Sequence, residues 1–386
     1  MNLTLDDIKQ EVAAGKITAI SLDTSIFDGQ QRGLERGLLK RVSQFNGTAV
    51  TVVLSDIVVR ELEAHLRRDA AEAQSNLKKA LKNAGQAWQL SESKRGVLET
   101  EIFGTDTVEQ VARRRLDGFI SGTNAKITKA EEQQLMPELM RRYFEHQPPF
   151  AENAKKKNEF PDALALLTLE SWAKERDTKV LVVTNDNDWR RYCAAPTRLV
   201  AIDNLVEALG CFQQEEVAYL CDQLSKSISD GDPHHVSDAI EQAIQEQDWK
   251  IQFIPEANSQ FHFKEDFPEA ELQLIRINGI ESGDALEPVE YEDGELVARV
   301  SVDVSADVTC NFSFEKWDAI DKEYIPMGSG TAVAATEISI ELLVTFSGHL
   351  PEAPEIVEIE VLEQREQMDF GEIGPDWMND PANFGD

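Results

Sequence analysis

Over the first 205 residues the chain alternates short apolar runs with longer stretches of helical period. ITAISLD at 17–23 reads as a strand entering a polar turn, and AVTVVL at 49–54 as a second, buried strand. Apolar positions 57, 58 and 62 then recur at helical spacing, with Ser55 placed to cap that helix. Residues 65–145 are rich in alanine and charge and predict mostly helix, broken near Gly85, Gly104 and GFISGTN at 118–124; HQPPF at 146–150 stops them. Pro161 suits the first turn of a helix over 162–175, DALALLTLESWAKE. KVLVV at 179–183 has the continuous apolar pattern of a parallel strand covered on both faces, and LVAID at 199–203 predicts another. Strand and helix in alternation predict an α/β fold, a mostly parallel sheet flanked by helices.

The pattern changes in the second half. Residues 213–248 are polar and helical, and SISDGDPHHVSD at 227–238 has the composition of a linker. From 249 to 365 apolar and polar residues alternate with period two, in WKIQFI, QFHFK, ELQLIRI, ELVARVSVDVSADVTCNFSF, TAVAATEISIELLVTFSG and EIVEIEVLE. This predicts an antiparallel β domain. The tail, 366–386, is acidic and rich in Gly and Pro. It is expected to be poorly ordered when free, with Trp377 and Phe384 as docking residues. The expected organisation is therefore a domain over 1–212 with a helical insertion at about 66–155, a helical linker over 213–248, the β domain and the tail.

Charge sharpens this division. The net charge of −33 is hostile to a nucleic-acid partner if spread evenly, but it is not. Residues 1–210 hold 30 Lys+Arg against 31 Asp+Glu, whereas 211–386 hold 8 against 40. The nearly neutral half carries basic clusters at Arg113–Arg115, Arg141–Arg142 and Lys155–Lys157. Two domains with different partners are implied. No apolar stretch approaches the ~20 residues that span a bilayer. The acidic, amphipathic start MNLTLDDIKQEVAAGK is unlike a signal peptide, and the four cysteines show no CxxC. A cytoplasmic protein with reduced core thiols is expected.

Four acids occupy positions where such a fold places chemistry. Asp23 and Asp186 directly follow predicted parallel strands, at the carboxyl ends where open α/β sheets hold their sites. Asp162 lies in the first turn of a helix that must pack on the sheet, and Glu61 about one turn into the helix after the second strand. Clustered carboxylates raise one another's pKa unless a cation neutralises them, and hard oxygen ligands suit Mg²⁺ or Mn²⁺. Such ions can activate water and stabilise an in-line phosphodiester displacement. A helix N-terminus also favours an anion at Asp162.

LDTSIF (22–27), LSDIVVREL (54–62), NEFPDALAL (158–166) and TNDNDW (184–189) resemble, in order and context, the four acidic motifs of the PIN-domain nucleases. The resemblance spans about residues 17–205. It implies Asp23, Glu61, Asp162 and Asp186 as catalytic, metal-binding acids and Asp188 as an auxiliary metal-binding acid. Thr24 and Thr184 are implied as polar supports. In that family the acids bind Mg²⁺ or Mn²⁺ and the usual activity is endoribonucleolytic. The chain departs from the compact, toxin-like pattern in the ~100 residues between Glu61 and Asp162 and in the extra β domain. The lead-in KKKNEFPDA resembles a larger, lysine-preceded PIN-like subgroup, in which Glu159 reaches the same site.

Each acid also has a bland reading: a turn residue for Asp23, a dipole complement for Asp162, an Asx-turn residue for Asp186, a solvated helix residue for Glu61. Four coincidences on one sheet edge are harder to accept than one site. Asp28 and Asp56 read as loop and capping acids, His65 as a structural neighbour of Glu61, and Trp172 and Trp189 as packing. Lys155, Lys156 and Lys157 are candidate nucleic-acid contacts because they directly precede Asp162. His234-His235 lacks partners at zinc spacing.

The expected function is a metal-dependent endonuclease, acting on RNA in preference to DNA, with a toxin-like or defence-related role under control of the acidic half. The alternative is a non-catalytic PIN-like scaffold or partner-binding protein. A small-molecule phosphohydrolase is disfavoured because the first strand lacks a DxDxT ending. The acidic half is expected to keep the protein soluble, to dock on a basic surface of a partner or of the nuclease half, or to mediate homo-oligomerisation through strand edges.

Overall fold

The computed structural model describes residues 3–89, 91–150, 159–213, 215–318 and 322–378. They fall into two units, residues 1–212 and 213–386.

In the first unit Thr4 and Asp7 cap each other reciprocally at the start of α1 (Leu5–Ala13). Strand β1 (Ile17–Leu22) follows, then α2 (Thr24–Gly29), α3 (Gly37–Arg41) and β2 (Thr51–Ser55). The Ser55 hydroxyl accepts from the Ile57 N–H and opens α4 (Asp56–Ala87), a single helix of 32 residues. Next come α5 (Glu92–Phe103), α6 (Val108–Thr123), β3 (Lys126–Thr128) and α7 (Met136–Glu145). The unit ends with α8 (Phe160–Glu175), β4 (Lys179–Val183), α9 (Asn187–Cys193), β5 (Leu199–Ile202) and α10 (Leu205–Gly210). The five strands are all parallel, in the order β3-β2-β1-β4-β5.

Burial explains the apolar runs. Val180, Leu181, Val182 and Val183 of central β4 are wholly buried, as a strand covered on both faces must be. Helix α8 is apolar nearly all round because it too is covered: Ala163, Ala165, Leu166, Leu169 and Trp172 are all buried. Its buried Glu170 is paired with Lys174 at 3.1 Å and accepts from the Arg198 N–H at 2.9 Å.

The insertion differs from expectation in three places. Gly85 does not break a helix but lies inside α4, where a side chain would collide with Arg95 of α5: a Cβ there would sit 2.7 Å from Arg95 Cδ. Gly118 and Gly122 lie within α6, which continues to Thr123 and ends at Asn124 in the left-handed region. The stretch 66–155 is also not purely helical, since β3 pairs in parallel with β2 through Val53↔Lys126 and Ser55↔Thr128.

The second unit begins with α11 (Glu215–Ser229) and α12 (Val236–Glu246). The stretch read as a linker therefore folds, and packs into the core of the β region. Cys221, Leu224 and Ile228 of α11 and Val236, Ile240 and Ile244 of α12 share one cluster with Val300, Val302, Val304 and Leu342. The strands are β6 (Ile251–Asn258), β7 (His262–Glu265), β8 (Glu269–Ile277), β9 (Glu287–Glu292), β10 (Glu295–Asp318), β11 (Glu323–His349), β12 (Ala353–Val361) and β13 (Gln364–Glu372). The long hairpin β10–β11 is the spine of an antiparallel sheet: β12 pairs with β11, while β7, β8 and β9 pair with β10. The expected tail is ordered at least to Met378. Its first part is β13, parallel to β6, and Trp377 donates from Nε1 to the Met327 carbonyl at 2.7 Å. Phe384 lies outside the described residues. All four cysteines are unpaired, and burial pushes the Cys211 thiol up to about 11.

Candidate active site

The register of the central strands builds the site. Leu22 of β1 stands opposite Val183 of β4, so the residues just beyond both strands meet. The Asp23 N–H donates to the Val183 carbonyl at 3.0 Å. The buried Thr184 hydroxyl donates to Asp23 Oδ2 at 2.9 Å and accepts from the Asp186 N–H at 3.0 Å. Asp186 is the N-cap of α9: its Oδ1 accepts from the backbone N–H groups of Asp188 at 2.6 Å and Trp189 at 3.2 Å. One threonine thus ties together two acids that lie more than 160 residues apart in the chain.

The other two acids come from helices. Glu61, on the second turn of α4, accepts at Oε2 from the Thr24 hydroxyl at 2.8 Å. Asp162, in the first turn of α8, accepts at Oδ1 from Trp189 Nε1 at 2.9 Å.

Electrostatics show that the four converge. Burial pushes the Asp162 carboxyl up to about 7; the Trp189 hydrogen bond opposes the shift, and the charges of Asp23, Asp186 and Glu61 add to it. Burial likewise raises Asp23, against hydrogen bonds from Ser25 and Thr184 and with a further push from Asp186. Among the described residues none of the four carboxylates makes an ion pair.

The remaining predicted residues are placed differently. Asp188 is paired with Arg191. Glu159 is buried at the N-cap of α8, one turn from Asp162. Lys155, Lys156 and Lys157 lie outside the described residues. Two contacts were not foreseen. Ser25 bridges Asp23 Oδ2 at 2.6 Å and the Asn185 N–H at 3.1 Å. Trp189, read as packing alone, is buried but also holds Asp162. The signals were modest: Ser25 lies two residues after Asp23, and Trp189 three after Asp186.

Beyond Glu61 a polar ladder joins α2 and the turn after it to α4. Thr24 bonds Glu61, Asp28 Oδ1 contacts His65 Nδ1 at 2.9 Å, and Arg32 Nε donates to Asp69 at 2.5 Å. All three rungs span 37 residues of sequence, and both sides step by four. Arg32 also donates to Asp28 at 2.7 Å. Asp56 is structural as well, accepting from the Ala130 N–H at 3.0 Å and pairing with Arg60 at 3.0 Å.

The donor set fits a hard divalent cation: all oxygen, excess negative charge and, among the described residues, no counter-ion. As the side chains stand, no three His, Cys, Asp or Glu groups among the described residues enclose a metal ion.

Residues 20–189 match a family model described as a PIN domain, a span that holds all four acids. Domains of this family are typically metal-dependent nucleases, using ions such as Mg²⁺ or Mn²⁺. Comparison with curated proteins and with solved structures found no match.

Proposed function

The chain carries a PIN domain, and from that premise we propose a metal-dependent endonuclease that cleaves RNA in preference to DNA, with Asp23, Glu61, Asp162 and Asp186 as its working acids. One observation carries the reading. Three acids from separate segments of chain act on one carboxyl: burial first, and after it the charges of Asp23, Asp186 and Glu61, push Asp162 up to about 7, and among the described residues none of the four makes an ion pair. Such a site suits positive charge that the described residues do not provide.

The chain's own part is to present oxygens in fixed directions. Thr24 holds Oε2 of Glu61, Trp189 holds Oδ1 of Asp162, and the α9 N-terminus holds Oδ1 of Asp186, and the second oxygen of each is the one proposed to take a ligand. Thr184 keeps Asp23 and the Asp186 backbone together through any change of charge. Mg²⁺ or Mn²⁺ bound there would supply Lewis-acid stabilisation of a phosphodiester and a more acidic water. Without a cation there, burial favours the protonated form of Asp162. Glu159 and Asp188 are proposed as auxiliary groups at the rim, and Lys155, Lys156 and Lys157 as phosphate contacts.

The acidic unit, with 40 acids against 8 bases, repels polyanions and is proposed as a control element. A toxin-like or defence-related role is consistent with a nuclease so restrained. The test is incubation with labelled single-stranded RNA, tRNA, single-stranded DNA and duplex DNA in Mn²⁺, Mg²⁺ or EDTA, with Asp162→Asn in parallel. Metal-dependent cleavage lost in Asp162→Asn is expected, and residues 1–212 alone are expected to cleave faster than the full chain. A folded chain that cleaves nothing would instead favour a PIN-like scaffold.

A further inference from the structure

We infer that the exposed end of the α4–α5 hairpin is a binding surface for single-stranded RNA, an inference that rests on the nuclease reading. The arginine clusters that stand out in the sequence are spent internally. Arg113 pairs with Asp117 at 3.0 Å, Arg114 with Asp106, Arg115 with Glu35 at 2.7 Å, and both Arg141 and Arg142 with Glu138 at 2.7 Å.

The hairpin end behaves differently. Residues 78–95 hold Lys78, Lys79, Lys82, Lys94 and Arg95 against one acid, Glu92. None of the five cations makes an ion pair among the described residues. Lys78, Lys82 and Gly85 follow one another at four and three residues along α4, so they share a face. Arg95 lies over Gly85 and extends that row, and its buried Nε has no hydrogen-bond partner among the described residues. Three residues beyond Gly85 stands Trp88, the C-cap of α4, with its side chain 80% exposed. Helix α5 buries no residue at all.

Unpaired cations along a helix face suit a phosphate backbone, and an exposed indole beside them suits the flat face of an unstacked base. Duplex bases, already stacked, would not use Trp88 in this way, which points to a single strand.

Geometry adds a length requirement. Helix α4 is continuous from Glu61 to the hairpin end. At ~1.5 Å per residue, Lys78 is about 26 Å and Trp88 about 40 Å along it from Glu61. A strand stacked at ~3.4 Å per nucleotide needs about eight to twelve nucleotides to cover that span. A five-nucleotide RNA cannot engage both places, whereas a 24-nucleotide RNA can.

The experiment uses the full chain and fluorescein-labelled single-stranded RNAs of 5 and 24 nucleotides, mixed in sequence. Binding is measured by anisotropy in the Asp162→Asn background, and cleavage in the wild-type background. Trp88→Ala is expected to weaken binding of the 24-mer about tenfold. Lys78→Gln/Lys82→Gln/Lys94→Gln is expected to lower the slope of log Kd against log salt by about two. In cleavage, the ratio of kcat/KM for the 24-mer to that for the 5-mer should fall about tenfold in Trp88→Ala, in line with the lost stacking, and should fall in the lysine variant through the lost phosphate contacts. Wild-type binding and an unchanged ratio in both variants overturn the inference and leave the nuclease reading standing. Absence of metal-dependent cleavage of either RNA, with the chain folded, overturns the nuclease reading; 24-mer binding that still depends on Trp88 and the lysines would then show the surface to exist without it.

Discussion

Replacing Asp162 by Asn should abolish cleavage and, in the absence of metal, stabilise the fold. Asp162 is held at about 7 against an ordinary value of 3.8. The unfolded chain releases this proton more readily than the folded one, so between these values the folded state binds more protons and stability falls as pH rises. The penalty is absent below 3.8 and complete above about 7. At ~1.4 kcal/mol per tenfold change in proton affinity its ceiling is about 4 kcal/mol, and partial solvation reduces it to roughly 2 kcal/mol. For a unit of this size that amounts to about 4–8 °C in Tm. Asn keeps the side-chain oxygen that accepts from Trp189. Calorimetry in EDTA at pH 8.5 should therefore show the variant melting above wild type, with the gap closing by pH 4. Mn²⁺ should raise the wild-type Tm and reverse the order, since a ligand at a hundredfold its Kd adds ~2.7 kcal/mol. Equal melting temperatures at pH 8.5, or a less stable variant, would refute the claim that burial and the neighbouring acids penalise the charged Asp162 carboxylate.

Other expectations follow from single contacts. Thr184→Val keeps the shape but leaves Asp23 and the Asp186 N–H without their shared hydroxyl, and should cost about 1–3 kcal/mol in urea unfolding. Trp189→Phe removes the donor to Asp162 and lifts that carboxyl further; the Mn²⁺ concentration for half-maximal cleavage should rise about tenfold, in line with the loss of a ~1.4 kcal/mol charge-assisted bond. Ile240→Ala, at a wholly buried position on α12, should destabilise the second unit by about 2–5 kcal/mol; an unchanged unfolding midpoint would mean that α12 does not share its core.

Much of this was legible because buried parallel strands must be apolar throughout. β1, β2, β4 and β5 announce themselves in that way, and the acids after β1 and β4 follow from where strands end. Features decided by long-range packing were harder to read. β3 is three residues long and starts with lysine, so nothing local marks it as a strand. Helices α11 and α12 have apolar positions at helical spacing, but serine, aspartate and glutamine between them give the look of a linker. β13 is an acidic strand whose place depends on β6, more than a hundred residues earlier. In the site, the types and order of the acids were evident. Which hydroxyl and which indole would hold them was not, because Ser25 and Trp189 act across folds of the chain.

The ladder between α2 and α4 also has a bearing on how the chain finds its fold. Its rungs run Thr24–Glu61, Asp28–His65 and Arg32–Asp69. Slide α4 by one turn in one direction and Asp28 faces Asp69. Slide it in the other direction and Asp28 faces Glu61 while Arg32 faces His65. Either slip sets like charges opposite each other or separates the ion pairs, at a cost that grows as water is squeezed out. The three rungs work like the cuts of a key, admitting α4 at one depth only, and that depth is the one that brings Glu61 to the other acids.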